Sequence, residues 1–113
     1  MSAFELRAGQ PVVLYLHSPK EKIWGLLLSI QTAGILVRGL DLEVFDDWMR
    51  QEAHQDEPMI GLNTIFYPMG RVERLEHDES YGPLVSYADR FAAEVGKSVG
   101  EVLGFENKNE GEH

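Results

Sequence analysis

The chain contains no cysteine, and it has no apolar run that approaches the length of a membrane span. Disulfide-stapled scaffolds and thiolate metal sites are therefore excluded, since both need cysteine sulfur. A membrane-spanning helix needs about 20 consecutive apolar residues, so no span is predicted. The first residues, Met1–Glu5, carry neither a basic segment nor an apolar stretch. We therefore predict no signal peptide and expect a cytoplasmic protein that does not contact a membrane.

Basic residues are also scarce in this chain. Lys and Arg total 10 against 19 Asp and Glu, which makes the net charge −9. Nucleic-acid affinity comes largely from cations that neutralise phosphate, so this balance disfavours a nucleic-acid partner. The 113 residues have a hydrophobic fraction of 43%, which is ordinary for a single globular domain.

The hydrophobic pattern predicts five consecutive β-strands. Pro19 ends the first strand because proline cannot donate a ladder hydrogen bond. The second strand is almost continuously apolar, which is typical of burial on both faces, and Gly25 within it indicates a bend or a close backbone approach. In the last strand Val72 and Leu75 are three residues apart, so a β-bulge or a twist is needed to bring both side chains inside. The predicted strands are Pro11–His17, Ile23–Ile30, Ile35–Leu40, Leu62–Tyr67 and Arg71–His77.

Helical patterns interrupt and follow these strands. Apolar residues at helical spacing predict an inserted helix near residues 44–53. Ser86 is a predicted N-cap for a second helix that ends at Gly96, and Ser98 with Glu101 repeats the cap pattern for a short third helix. We therefore predict a β-barrel domain over residues 1–79, a helical extension over 80–105 and a disordered tail over 106–113.

The predicted fold class is mainly β, a small five-stranded bent barrel with an inserted helix and a C-terminal helical appendage. Closure into a barrel removes exposed strand edges, which a small sheet otherwise has to protect. Residues 9–78 resemble the Sm-like family, whose fold is an SH3-like barrel. The resemblance rests on strand order and on Gly25-x-Leu27-x-x-Ile30, which is similar to that family's first motif. It implies a homo-oligomer, because Sm-like subunits form rings by pairing strand 4 of one with strand 5 of the next.

The RNA-binding motif residues of that family are not matched here. Most Sm-like proteins bind RNA with an Asp and an Asn in the turn after the second strand, where this chain has Gln31–Gly34. The family's Arg-Gly pair lies between strands 4 and 5, where this chain has Pro68–Arg71. An Arg38-Gly39 pair is present, but it lies at the end of the third strand. The resemblance therefore implies the fold and the association without the RNA chemistry.

The leading functional hypothesis is a self-associating interaction module without catalytic activity. Aromatic residues and methionine are enriched at protein interfaces. We therefore expect Trp48, Tyr67, Met69 and Val72 to contribute to the interface between copies, while Trp24 and the neighbouring Phe66 are expected in the core. The sequence indicates no other protein partner.

An RNA-binding ring is the first alternative. Arg38, Arg71 and Arg74 could form a local basic patch, with Tyr67 beside it for base stacking. The same arginines could equally pair with nearby acids. The segment 41–57 alone holds seven acidic residues against Arg50.

A small-ligand or metal-binding module is the second alternative. His54 lies near Asp56 and Glu57, and His77–Glu79 forms another cluster of ligand-type residues. Neither cluster has a regular ligand spacing, so we predict no metal site and no cofactor. The chain has no nucleophile motif and no Gly-rich phosphate loop, so we predict no catalytic residues and no enzymatic activity.

Overall fold

The computed structural model describes residues 6–104, so the predicted tail over 106–113 lies outside the described residues. The helices are α1 (Phe45–His54), α2 (Tyr87–Val95) and α3 (Val99–Leu103), with single 3-10 turns at Leu42–Val44 and Met69–Arg71. No helix between residues 6 and 104 has the length and hydropathy to cross a membrane. The strands are β1 (Pro11–Leu16), β2 (Glu21–Ile30), β3 (Gly34–Asp41), β4 (Asn63–Pro68) and β5 (Val72–His77).

The five strands form one antiparallel sheet in the order β4-β3-β2-β1-β5. The predicted mainly-β class, the inserted helix and the C-terminal helices are therefore confirmed. The strand boundaries move by at most two residues, the largest shift being at the start of β2. There Glu21 already pairs with Leu16, so the turn that joins β1 and β2 is tighter than predicted.

The described chain divides into two compact units. The first, here called the sheet unit, comprises residues 6–45 and 61–78. The second, here called the helical unit, comprises residues 46–60 and 79–104. The predicted barrel domain ended at residue 79, but it included residues 46–60, which group here with the C-terminal helices.

All five strands contribute to one apolar cluster in the sheet unit. Tyr67 of β4 belongs to this cluster, and Val72 and Leu75 of β5 pack against it. Side chains from both edge strands therefore meet the same core, which requires the sheet to curve. The remaining members of the cluster from β1, β2 and β3 are Val12, Leu14, Leu16, Ile23, Leu27, Ile35 and Val37.

Two glycines permit a close approach between β2 and β3. Gly25 pairs directly with Gly39. A Cβ atom added at Gly25 would lie 2.6 Å from the Cα of Gly39, and one added at Gly39 would lie 2.3 Å from the carbonyl oxygen of Trp24. The predicted close backbone approach at Gly25 is therefore confirmed.

Of the two possibilities predicted for β5, a bulge or a twist, the structure has the bulge. The register between β1 and β5 shifts between Tyr15 and Leu16. As a result, Leu75 lies opposite Leu14 while Val72 lies opposite Leu16. One extra residue in β5 thus allows both apolar side chains to reach the core.

Trp24 is fully buried, as predicted, and it is not a member of the apolar cluster described above. Its ring meets Phe45 edge to face with centroids 5.2 Å apart. Its indole nitrogen donates a 3.0 Å hydrogen bond to a carboxylate oxygen of Asp78, which is itself buried. This bond joins β2 to the residue that follows β5, and burial makes it costly to break.

Helix caps in the helical unit follow the sequence prediction. The hydroxyl of Ser86 accepts a 3.0 Å hydrogen bond from the amide of Asp89, and Gly96 ends α2 with a φ of 88°. Ser98 and Glu101 form a complete capping box at the start of α3. These caps satisfy helix-terminal amides that would otherwise lack partners.

Candidate interaction surface

Strand β4 is an edge strand with apolar side chains exposed on both faces. Ile65 is 39% exposed and Phe66 is 43% exposed, although successive residues of a strand point to opposite faces. Tyr67 is the one buried residue of β4. The Phe66 ring lies over Gly34, where a Cβ atom would come within 2.5 Å of it. Exposed apolar side chains on an edge strand are typical of a surface that other chains cover.

The backbone of β4 presents hydrogen-bonding groups to the outside. The amide of Met69 donates a 2.8 Å bond to the carbonyl of Ala33, one step beyond the β3–β4 ladder. Antiparallel pairs alternate between bonded and non-bonded positions. The backbone groups of Thr64 and Phe66 therefore point away from β3. Pro68 occupies the next outward position, where its missing N–H removes one donor from this edge.

Strand β5 forms the opposite edge and is mostly polar. Glu73, Arg74 and Glu76 are exposed, whereas Val72 and Leu75 are half-buried. The amide of Asp78 bonds to the carbonyl of Pro11 at 2.9 Å, and the same alternation turns the backbone groups of Leu75 away from β1. The sheet thus ends on two edges, each with outward backbone groups.

The predicted interface residues fall into two groups. Trp48 is 2% exposed and stacks on Phe91 with ring centroids 4.6 Å apart, so its side chain is used within the helical unit. Tyr67 is also buried, in the sheet core. Met69 is 37% exposed in the turn between β4 and β5, and Val72 is half-buried at the start of β5. Of these four predicted residues, only Met69 and Val72 therefore have exposed surface near the strand edges.

The three arginines of the RNA alternative are engaged within the chain. Arg71 donates to the carbonyls of His17 and Pro19 and pairs with Glu21 at 3.3 Å. Its side chain thus closes the turn between β1 and β2.

The other two arginines lie apart from each other in the sheet. Arg74 lies 4.0 Å over the Tyr15 ring and pairs with Glu76 at 3.1 Å. Arg38 lies on β3, two strands away from β1, and donates to the hydroxyl of Thr64 at 3.3 Å. The competing interpretation was that these arginines pair with nearby acids, and Arg71 and Arg74 do so. The Tyr67 ring is buried, so it offers no face for base stacking.

The Tyr67 hydroxyl lies in a polar setting at one end of the sheet core. Burial raises the pKa of this phenol above its usual value, and the negative charges of Glu21 and Asp41 raise it further. The positive charge of Arg71 opposes this shift. The raised pKa favours the neutral form of the side chain. The ring itself packs in the apolar cluster of the sheet unit.

The two sequence clusters around His54 and His77 do not form a set of metal ligands in the described residues. Among residues 6–104, no group of three or more His, Asp or Glu side chains is placed to hold a metal ion. His54, Asp56 and Glu57 are exposed. Asp78 instead accepts the indole hydrogen bond described above.

Two surface hollows bear on the small-ligand alternative. One, of about 380 Å³, combines two lysines with three acids and is lined by Lys20, Glu21, Lys22, Asp41, Leu42 and Glu43. The other, of about 350 Å³, includes Asp56 but neither His54 nor Glu57. Neither hollow is built around the predicted histidines.

Sequence reasoning missed the exposure of Phe66, which we expected in the core. Ile65, Phe66 and Tyr67 are three consecutive apolar residues, so alternation alone cannot tell which face of β4 is buried. The available signal was the edge position that the Sm-like resemblance implied for this strand. An edge strand has a neighbour on one side only, and one of its faces is easily left uncovered.

Comparisons with protein-family models, with curated proteins and with solved structures find no match to this chain. The functional argument therefore depends on the geometry of the chain itself.

Proposed function

We propose that this protein is a self-associating interaction module, built on an Sm-like, SH3-like bent barrel and without catalytic activity. Copies join by pairing β4 of one with β5 of the next. The observation that carries the proposal is the pair of sheet edges, of which β4 exposes Ile65 and Phe66. The polar β5 edge alone would give a second copy little apolar surface to bury.

The curvature of the sheet supports the barrel. Tyr67 from one edge strand and Leu75 from the other reach the same cluster of core residues. The opposed Gly25 and Gly39 let β2 and β3 approach closely. Because β4 and β5 do not pair with each other, the curved sheet keeps two separate edges, which suits pairing between copies.

The orientation of the side chains is compatible with pairing between unlike edges. The outward residue Phe66 lies on the face of β4 opposite to Tyr67, whereas the outward residue Leu75 of β5 packs on the core. In an antiparallel pair, directly opposed residues share a face. Pairing that sets Phe66 opposite Leu75 of the next copy therefore gives the exposed ring an apolar neighbour.

Proline substitution at Thr64 tests this pairing. The backbone N–H of Thr64 points outward, so Thr64→Pro removes a donor from the edge and leaves the ladder to β3 in place. Thr64→Val is the matched control, because it also lacks the hydroxyl that Arg38 contacts but keeps the N–H. Sedimentation velocity should show association for the natural protein and for Thr64→Val, and monomers for Thr64→Pro with an unchanged circular dichroism spectrum. Undiminished association of Thr64→Pro would exclude this edge.

A further inference from the structure

A tight turn in the helical unit holds three large apolar side chains in solvent. Tyr81 is 80% exposed, Leu84 is 68% exposed and Val85 is 57% exposed. Scattered single apolar residues are normal on protein surfaces, but three large exposed ones within five positions are a local concentration. We call these three side chains the apolar tip.

The turn that carries the apolar tip is locked by hydrogen bonds. Tyr81 and Leu84 exchange two backbone bonds of 2.8 and 2.9 Å. Gly82 has a φ of 57°, which a glycine adopts without strain. The backbone conformation is therefore set before any partner arrives, which lowers the entropy cost of binding.

The base of the turn is fastened to the start of α2. The hydroxyl of Ser80 accepts a 2.9 Å bond from the amide of Ser86 and donates a 2.6 Å bond to Asp89. Ser86 is the N-cap of α2. The apolar tip therefore projects from a helix end rather than from a free loop.

Charge separates the helical unit from the sheet unit. The described helical unit carries nine acidic and three basic residues, whereas the described sheet unit carries six of each. A strongly acidic surface repels nucleic acids and anionic membranes. A second copy of the chain presents a helical unit, which is also acidic, and a sheet unit, whose described charges balance. Neither unit attracts an acidic surface. Charge complementarity therefore selects a basic partner.

We propose that the apolar tip docks against the apolar face of a positively charged, amphipathic protein segment. Tyr81, Leu84 and Val85 contact that apolar face, and the acids of the helical unit attract the basic residues beside it. The apolar tip belongs to the helical unit, whereas β4 and β5 belong to the sheet unit, and its proposed partner differs from the second copy proposed above.

Two synthetic helical peptides of equal length and charge test the proposal, one built from Lys and Leu and the other from Lys and Ala. Fluorescence anisotropy of the labelled peptides measures their affinity for the full chain. We expect the Lys–Leu peptide to bind at least about tenfold more tightly, because only it can cover the apolar tip. The double variant Leu84→Ser with Val85→Ser should remove that preference. Its backbone bonds at Tyr81 and Leu84 do not depend on these side chains.

Met59→Ser is the matched control for the double variant. Met59 is 85% exposed in the same unit, so its loss removes apolar surface away from the turn. It should leave the preference for the Lys–Leu peptide unchanged, and added salt should weaken the binding of both peptides. Equal affinities for the two peptides would overturn the proposal. So would a preference that survives in the double serine variant, or a binding that is insensitive to salt.

Discussion

At the scale of single residues, the pair Gly25 and Gly39 leaves no room for a side chain in the sheet. We predict that Gly25→Ala destabilises the fold by about 3 kcal/mol, because the added methyl meets backbone atoms of β3 and has no flexible neighbour to displace. Gly70→Ala is the control, since nothing lies within 4 Å of the added atom. Urea unfolding measures both changes, and equal midpoints for the two variants would contradict the steric argument.

Tyr67 gives the sheet a predictable response to alkaline pH. Its pKa is raised in the folded state, so the stability that it contributes is present below the unfolded pKa of about 10 and is lost as the pH rises through the folded value. We predict that the natural protein loses stability above about pH 10 more steeply than Tyr67→Phe. Urea unfolding of both proteins at a series of pH values measures the difference. Parallel curves would show that the phenol titrates alike in the folded and unfolded states.

At the scale of elements, one buried glutamine holds a loop against its helix. The side-chain oxygen of Gln51 accepts bonds from the amides of Met59 and Ile60, at 2.8 and 3.0 Å, and its nitrogen donates to the carbonyl of Ile60 at 2.8 Å. We predict that Gln51→Leu speeds hydrogen exchange at Met59 and Ile60 and costs about 1–3 kcal/mol in unfolding free energy. Arg50→Leu, on the exposed side of the same helix, should leave that exchange unchanged. If both variants exchange alike, the glutamine does not hold the loop.

The elements themselves were largely predictable from local patterns. Turn residues and alternation located all five strands, and the Ser86 and Ser98 caps located α2 and α3, because these signals depend on neighbours in sequence. The partners of individual side chains were not predictable in this way. Trp48 stacks on Phe91, which lies far along the chain, and Gln51 meets a loop whose path no local pattern predicts.

At the scale of the whole molecule, the proposed function depends on the two sheet edges. The resemblance to Sm-like proteins implied free edges at strands 4 and 5, and the sheet has them. The sequence did not show which edge exposes apolar surface. Ile65, Phe66 and Tyr67 are all apolar, so hydrophobic alternation does not distinguish the buried residues from the exposed ones. The arginines of the RNA alternative also needed the structure, since the partners of Arg71 on the β1–β2 turn are distant in sequence.

The most direct test of the proposed pairing is the molar mass of the natural protein in solution, measured by light scattering across about a hundredfold range of concentration. Copies that join edge to edge should give a mass that rises to a multiple of the 12.8 kDa monomer. A mass that stays at 12.8 kDa at the highest concentration would contradict the proposal.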